Sequence, residues 1–354
     1  MTPARVTFQA APDTLGPRRP DDDTVREQPV TIQPDVARPS PDLTSVSEVL
    51  AAIEANVAGV VAGKREAVHL TLVALIAEGH LLIEDVPGVG KTLLARALGR
   101  SIDCSVSRVQ FTPDLLPSDV TGVTVYAPDT GVFEFRPGPV FANIVLGDEI
   151  NRAGPKTQSA LLESMEERTV TVDGTTHQLG RPFMVVATQN PIELEGTYPL
   201  PEAQRDRFLM RLSIGYPDHE AELDILRTHG SGDRVASMQP VTDAASVARA
   251  IVAVRGVTVT ERIERYLIAL CRATRSHPDV ELGASPRASL ALLRAVRAGA
   301  AIAGRAHVTP DDVKALAPHV LPHRLILRPE AELAGLTPHD VVADVLDGVP
   351  APVQ

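Results

Sequence analysis

The sequence predicts an α/β fold: a core with a parallel sheet and hairpin inserts, followed by a smaller all-α domain. Three observations carry this reading. Short apolar runs at His80–Ile83, Ile144–Leu146 and Met184–Ala187 have the pattern of strands buried on both faces, and the last two end in polar residues. The first runs straight into a Gly-rich turn and a helical pattern beginning near Lys91. Beyond about Tyr216, helical patterns follow one another with no strand signal.

Taken in order, residues 1 to 43 are rich in Pro, Asp, Arg and Thr and lack apolar periodicity, which predicts a disordered tail. The first periodic segment runs from about Ser45 to Glu78, with Ser45 and Glu48 as a capping box and a break near Gly59–Gly63. The helix after the Gly-rich turn presents Leu93, Leu94, Ala97 and Leu98. A hairpin is predicted where Val123 and Val125 face Phe133 and Phe135 across Pro128-Asp129-Thr130-Gly131. A second pairs Thr169–Val172 with Thr176–Leu179 through the turn Asp173-Gly174. In the C-terminal part, Ser285-Pro286, Thr309-Pro310 and Thr337-Pro338 each place a capping hydroxyl before a proline that suits the first helical position. A boundary near Tyr216-Pro217-Asp218 separates a core at 44–216 from a helical domain at 217–347, with a short tail at 348–354.

The 354 residues carry a formal net charge of −11. That opposes a sequence-independent nucleic-acid binder, which needs many unopposed Lys and Arg to release counterions. A local basic channel in an assembled ring stays open. Cys104 and Cys271 are far apart and have no Cys or His at metal spacing, so both are expected as buried thiols in a reducing compartment. Residues Met1 to Gly16 include Asp13 and lack a continuous apolar core, unlike a signal peptide. The longest apolar stretch, Ala67 to Ala77, is too short to span a bilayer. A soluble, cytoplasmic protein without stable membrane insertion is expected.

The chemistry starts at Glu84-Asp85-Val86-Pro87-Gly88-Val89-Gly90-Lys91-Thr92. Phosphates need convergent N–H donors, a helix N-terminus and a mobile cation, and a strand, Gly-rich turn and Gly-Lys-Thr helix start supply all three. Asp85, Val86, Pro87, Gly88, Val89, Gly90, Lys91 and Thr92 are therefore the candidate ATP-binding residues. Lys91 would reach the β- and γ-phosphates and Thr92 would ligate Mg²⁺. The pattern G-x-x-x-x-G-K-[ST] is incomplete, because Asp85 stands where its first Gly belongs.

A second strand ends in Asp148-Glu149. Such a pair suits a metal-holding acid, Asp148, beside a general base, Glu149, that orients the attacking water. The bland alternative is a solvated acidic turn. A third strand ends in Thr188-Gln189-Asn190-Pro191, where the Asn190 amide could sense a γ-phosphate or simply form a turn before Pro. A guanidinium supplied by a neighbour would stabilise the transition state. Arg207, in Arg205-Asp206-Arg207-Phe208, and Arg287, from which a fold back over the nucleotide is conceivable, are the candidates; a surface salt bridge is the ordinary alternative for each. His319 and His323 are set aside as a metal site, because Val320 replaces the needed Glu and Pro322 breaks the helix. Glu163, Glu166 and Glu167 read as the solvated face of a helix.

Together these residues resemble the AAA+ superfamily of P-loop NTPases, and within it the MoxR family, over about residues 46 to 347. The most specific segments are Gln110-Phe111-Thr112-Pro113-Asp114-Leu115-Leu116-Pro117-Ser118-Asp119, Gly138-Pro139-Val140-Phe141-Ala142-Asn143, Asp148-Glu149-Ile150-Asn151-Arg152-Ala153 and Glu195-Gly196-Thr197-Tyr198-Pro199-Leu200-Pro201-Glu202-Ala203-Gln204. The resemblance implies that an acid at position 85 is compatible with activity. It implies Walker B acids at Asp148 and Glu149, sensor 1 at Asn190, an arginine finger at Arg207 and sensor 2 at Arg287. Arg205 is less usual at its place and could share the finger role. The helical domain becomes a lid, and the hairpins become inserts that face the pore or substrate of a ring. The resemblance further implies ATP and Mg²⁺ as cofactors, a hexameric homo-oligomer and chaperone-like work on protein clients. Those clients include von Willebrand factor A-domain proteins, and the work includes maturation of complexes or insertion of metal cofactors. Rival readings are a chelatase subunit, a DNA motor of the same superfamily, and a nucleotide-binding scaffold that no longer hydrolyses.

Overall fold

The computed structural model describes residues 43–190, 196–228 and 233–352. The expected tail lies outside the described residues except for Leu43, and so do residues 353 and 354 of the short C-terminal tail. Two helices, α1 (Leu43–Ala58) and α2 (Arg65–Ile76), precede β1 (Leu81–Glu84) and α3 (Lys91–Ser101). Ser45 lies inside α1, which begins at Leu43, rather than at the predicted cap position. Next come β2 (Val106–Gln110), α4 (Pro117–Thr121), the hairpin β3 (Gly122–Ala127) and β4 (Val132–Pro137), and β5 (Ile144–Asp148). Then follow α5 (Pro155–Glu167), the hairpin β6 (Thr169–Val172) and β7 (Thr175–Gln178), β8 (Met184–Gln189), α6 (Glu202–Arg205) and β9 (Met210–Leu212). Asp173 and Gly174 both take positive φ in the second turn, as a tight two-residue hairpin requires.

Five strands form one parallel sheet in the order β2-β5-β8-β1-β9. Alternate side chains go to opposite faces of a strand. Leu81, Ile83, Ile144, Leu146, Met184 and Val186 enter one apolar core with α1, α2 and α3. Leu82, Val145, Val185 and Ala187 enter the other, with Phe111, Leu161 and Phe208. Burial on both faces is why the central strands read as continuous apolar runs. Because the strands run the same way, Glu84, Gln110, Asp148 and Gln189 end along one edge of the sheet. Ligands of open α/β sheets bind at that edge, where the connections diverge.

The helical part comprises α7 (His219–Thr228), α8 (Ala244–Val254), α9 (Glu261–Ser276), α10 (Pro286–Ile302), α11 (Pro310–Val320), α12 (Pro329–Leu333) and α13 (Pro338–Gly348). Ser285, Thr309 and Thr337 accept from the amides of Ala288, Asp312 and Asp340, each followed by a first-turn proline. A small antiparallel ribbon, β10 (Val280–Leu282) with β11 (Ile326–Leu327), departs from the strand-free expectation. Strands of three and two residues are too short to show alternation. Helix α10 packs on α1 and α2, so the helical part shares the first core. Arg324 fixes it to the sheet: its Nε donates to Asp206 Oδ1 at 2.7 Å and its Nη1 to the Leu209 carbonyl at 3.1 Å. Ser285 Oγ donates to the other oxygen of Asp206 at 2.9 Å. Both cysteines are free thiols, and burial pushes them up, Cys104 to about 12. No helix among the described residues is long and apolar enough to cross a membrane.

Candidate active site

The turn after β1 is shaped by two glycines. Gly88 and Gly90 have φ of +86° and +97°, a region L-residues avoid. Apart from its chain neighbours, no described atom would lie within 4 Å of a Cβ at either position, so the backbone twist, rather than crowding, favours glycine there. Gly90 caps α3, whose first residues are Lys91 and Thr92. Lys91 Nζ donates to the Asp85 carbonyl at 2.7 Å. Burial lowers the Lys91 pKa, against the pull of Asp85, Asp148 and Glu149. The lysine therefore shares its surroundings with all three acids.

Asp85 explains its own departure from the glycine pattern. Its carboxylate turns into the segment after β9, accepting from the backbone of Ile214, from Gly215 N at 3.0 Å and from Ser213 Oγ at 3.2 Å. The side chain ties the turn to the chain leaving the sheet, and it is buried at 8 % exposure. Its amide also donates to the Gln189 carbonyl at 3.2 Å, extending the β1–β8 ladder by one bond.

Asp148 closes β5, and Glu149 follows with φ +57°, a strained position for a residue with a Cβ. Thr188, from the neighbouring β8, serves both. Its Oγ1 donates to Asp148 Oδ1 at 2.6 Å and accepts the Glu149 amide at 2.9 Å. From β2, Arg108 Nη2 donates to Asp148 Oδ2 at 2.7 Å, and Gln110 Nε2 donates to Glu149 Oε2 at 2.9 Å. Arg152 Nη1 reaches that same Glu149 oxygen at 2.9 Å. The candidate residues did not include Thr188, Arg108, Gln110 or Arg152. Once β2 is known to be a strand, Arg108 and Gln110 share a face by period two, but its mixed sequence hides the strand. Asn190 comes directly after β8 and is buried at 6 % exposure. Pro191 to Glu195, including the start of one family-like segment, lie outside the described residues.

Beside the turn lies a cavity of about 420 Å³, bordered by Gly63, Lys64, Glu84, Arg211, Ser213 and His339. Arg211 pairs with Glu84 at 2.9 Å and meets His339 Nε2 at 3.3 Å. The two histidines set aside have separate partners. His319 faces Glu66 at 3.7 Å, while the buried His323 meets the Phe208 carbonyl at 3.2 Å.

Arg207 and Arg287 are placed elsewhere. Both pair with Glu166, at the end of α5, with Arg207 at 3.2 Å. They border a second cavity with Arg168, Arg294, Gly79 and His80. His80 precedes β1 and Arg207 precedes β9, so this cavity sits at the opposite ends of the parallel strands. The four residues of β1 separate the two edges by about 13 Å. The fold of Arg287 back over its own chain's turn is not what the structure has. The bond from Ser285 to Asp206 docks the start of α10 beside Arg207 instead. Glu166 likewise is not merely a solvated helix face, since it is the counter-ion of two arginines. Arg205 pairs weakly with Glu202 at 3.8 Å, and its buried Nε has no hydrogen-bond partner among the described residues.

The family described as "ATPase family associated with various cellular activities (AAA)" matches residues 80–210, and the AAA lid domain matches residues 272–345. Chaperone MoxR1 of Mycobacterium tuberculosis is 41% identical over 302 residues, which are 83% of this chain and 80% of that protein. The chain belongs to the MoxR family of AAA+ ATPases. The Bacillus subtilis protein YeaC, uncharacterized, is 52% identical over 295 residues, 83% of this chain and 92% of that one. A crystal structure of a candidate ATPase from Cytophaga hutchinsonii superposes with a TM-score of 0.83 at 38% identity, covering 88% of this chain and 97% of that one. The family fold, an AAA+ core with a parallel sheet followed by a helical lid, is the one described above, so the helical part is a lid in the family sense.

Proposed function

We propose that this chain is a Mg²⁺-dependent ATPase whose catalytic sites form between adjacent subunits of a ring, and that turnover moves the lid against the core to remodel or mature a protein partner. The observation that carries the reading is the division of the candidate groups between two edges of one sheet. Asp148 ends its strand and Lys91, Glu149 and Asn190 come after the carboxyl ends of theirs, while Arg207 and Arg287 sit at the amino ends beside Glu166. On this reading each edge contributes half of a site.

On this reading, the amides of Asp85 to Thr92 and the Lys91 ammonium hold the phosphates. The cavity beside Glu84 and Arg211 is of a size to take the nucleoside. Thr92 and Asp148 offer hard oxygen donors close to Lys91, a set that fits Mg²⁺ completed by phosphate oxygens and water. When bound, the ion neutralises charge on the β- and γ-phosphates. Glu149 polarises the attacking water, Asn190 hydrogen-bonds the γ-phosphate, and the neighbour's copies of Arg207 and Arg287 stabilise the developing charge. Arg205 shares the finger role in a lesser way.

The partner is a protein, as the name chaperone carried by the mycobacterial relative suggests. The hairpin β3–β4 suits contact with it, since Tyr126 and Phe133 form an edge-to-face pair at its tip and Phe133 is 72 % exposed. Von Willebrand factor A-domain proteins, a hexameric ring and cytoplasmic work complete the reading, with metal-cofactor insertion as one form that maturation could take. A net charge of −11 favours it over a DNA motor. The test is ATP turnover of the wild type and Glu149→Gln, across a Mg²⁺ titration and with sizing in ATP. Removing the base should lower turnover at least a hundredfold while ATP binding persists. Equal rates for the two proteins, or turnover indifferent to Mg²⁺, would sink the claim.

A further inference from the structure

We propose that Arg108 is a positioning residue that holds Asp148 in the nucleotide-free subunit and yields it to the metal, so that arrival of the metal also loosens Glu149. This rests on the reading of Asp148 as the metal-side acid. Both carboxylate oxygens of Asp148 are taken: Oδ1 by Thr188 at 2.6 Å and Oδ2 by Arg108 at 2.7 Å. The two partners differ in what it costs to move them. Thr188 is fully buried and also holds the Glu149 amide, so it stays. The Arg108 side chain is 53% exposed and can turn into water, whereas the Asp148 side chain is 17% exposed and cannot leave its strand end.

A guanidinium and a divalent cation compete for the same carboxylate. Their mutual repulsion in a partly desolvated site, with the Lys91 charge close by, opposes simultaneous occupation. The consequence reaches the second acid. The same Arg108 nitrogen donates to Gln110 Oε1 at 3.0 Å, and Gln110 Nε2 donates to Glu149 Oε2 at 2.9 Å. Arg108 thereby fixes which way the Gln110 amide faces. Its donor end points at Glu149 because its acceptor end is occupied. When Arg108 leaves Asp148, the amide loses that constraint, and among the described residues the Glu149 carboxylate retains the Arg152 contact. Metal arrival at one acid and release of the other are thus linked through three side chains on β2 and β5.

The test is a Mg²⁺ titration of binding of a fluorescent ATP analogue to the full chain, comparing wild type, Arg108→Gln and Arg108→Lys. Removing the competitor should lower the Mg²⁺ half-saturation about fivefold in Arg108→Gln, the equivalent of one half-exposed ion pair. Analogue affinity in EDTA should not change, which separates this role from a merely structural one. Arg108→Lys keeps the charge on a shorter, more strongly hydrated head that holds Asp148 less firmly, so it should fall between the two, and it serves if Arg108→Gln fails to fold. A half-saturation that is unmoved or raised in both variants, beside a Mg²⁺-dependent wild type, overturns the proposal alone. A wild type whose binding ignores Mg²⁺ removes the metal reading of Asp148 and this proposal with it.

Discussion

Position 85 shows how one side chain can replace a glycine and improve the loop's anchorage. The carboxylate leaves the phosphate side and satisfies two amides and a hydroxyl at Ser213 to Gly215. Asp85→Gly would complete the textual phosphate-loop pattern yet strip three bonds from a buried junction. We expect it to lose about 2 kcal/mol of stability and to weaken nucleotide binding, read by denaturant midpoints and by titration. A gain in both would show that the pattern, not the anchorage, decides this position. In the linear chain Asp85 is legible only as a missing glycine, because its partners lie some 130 residues away. The Asp148-Glu149 pair was legible as chemistry for the opposite reason: the strand and its two acids are contiguous. Thr188, which orients both, was visible only as one polar residue at a strand tip, since the pairing of β5 with β8 is a long-range fact.

Between elements, His80 is the joint of β1, β8 and α5. Its Nε2 donates to the Met165 carbonyl at 3.0 Å, and its Nδ1 accepts the Val185 amide at 3.0 Å, which requires the neutral ring. Burial first, and the Arg168 and Arg294 charges after it, push the His80 pKa down from 6.5 to about 4. A proton therefore binds the unfolded chain more readily than the folded one. The stabilisation is full above pH 6.5 and is lost as pH falls from 6.5 towards 4, on the order of 3 kcal/mol for this one group. His80→Gln should be less stable than wild type at pH 7 but should show a flatter decline across that window, followed by denaturant midpoints at several pH values. Parallel declines would remove His80 as the cause. Elements were legible in proportion to their burial on both faces. The strands β1, β5 and β8 announce themselves as apolar runs. The edge strand β2 buries only Val109 fully and β9 spans three residues, so neither carries a period of its own.

For the whole molecule, the division of charge between two edges decides how activity can be assembled. Glu166 pairs with both Arg207 and Arg287 on one edge, leaving net positive charge there, while the Gly-rich turn and the acids open on the other. A head-to-tail interface brings unlike edges together and closes into a ring if the rotation permits. This predicts complementation between two inactive chains. On the proposed roles, Glu149→Gln keeps its arginines but lacks the base, and Arg207→Ala keeps its base but lacks the finger. In a random one-to-one mixture, a site works when its own chain carries Glu149 and its neighbour carries Arg207, so about a quarter of the wild-type turnover should return. Differently tagged chains must co-purify in ATP for the measurement to count. If each chain completed its own site, every site in the mixture would still lack one group and no activity would return. Recovery that rises with total protein concentration, and vanishes when both substitutions sit on one chain mixed with itself, would tie catalysis to the contact between opposite edges of neighbouring sheets.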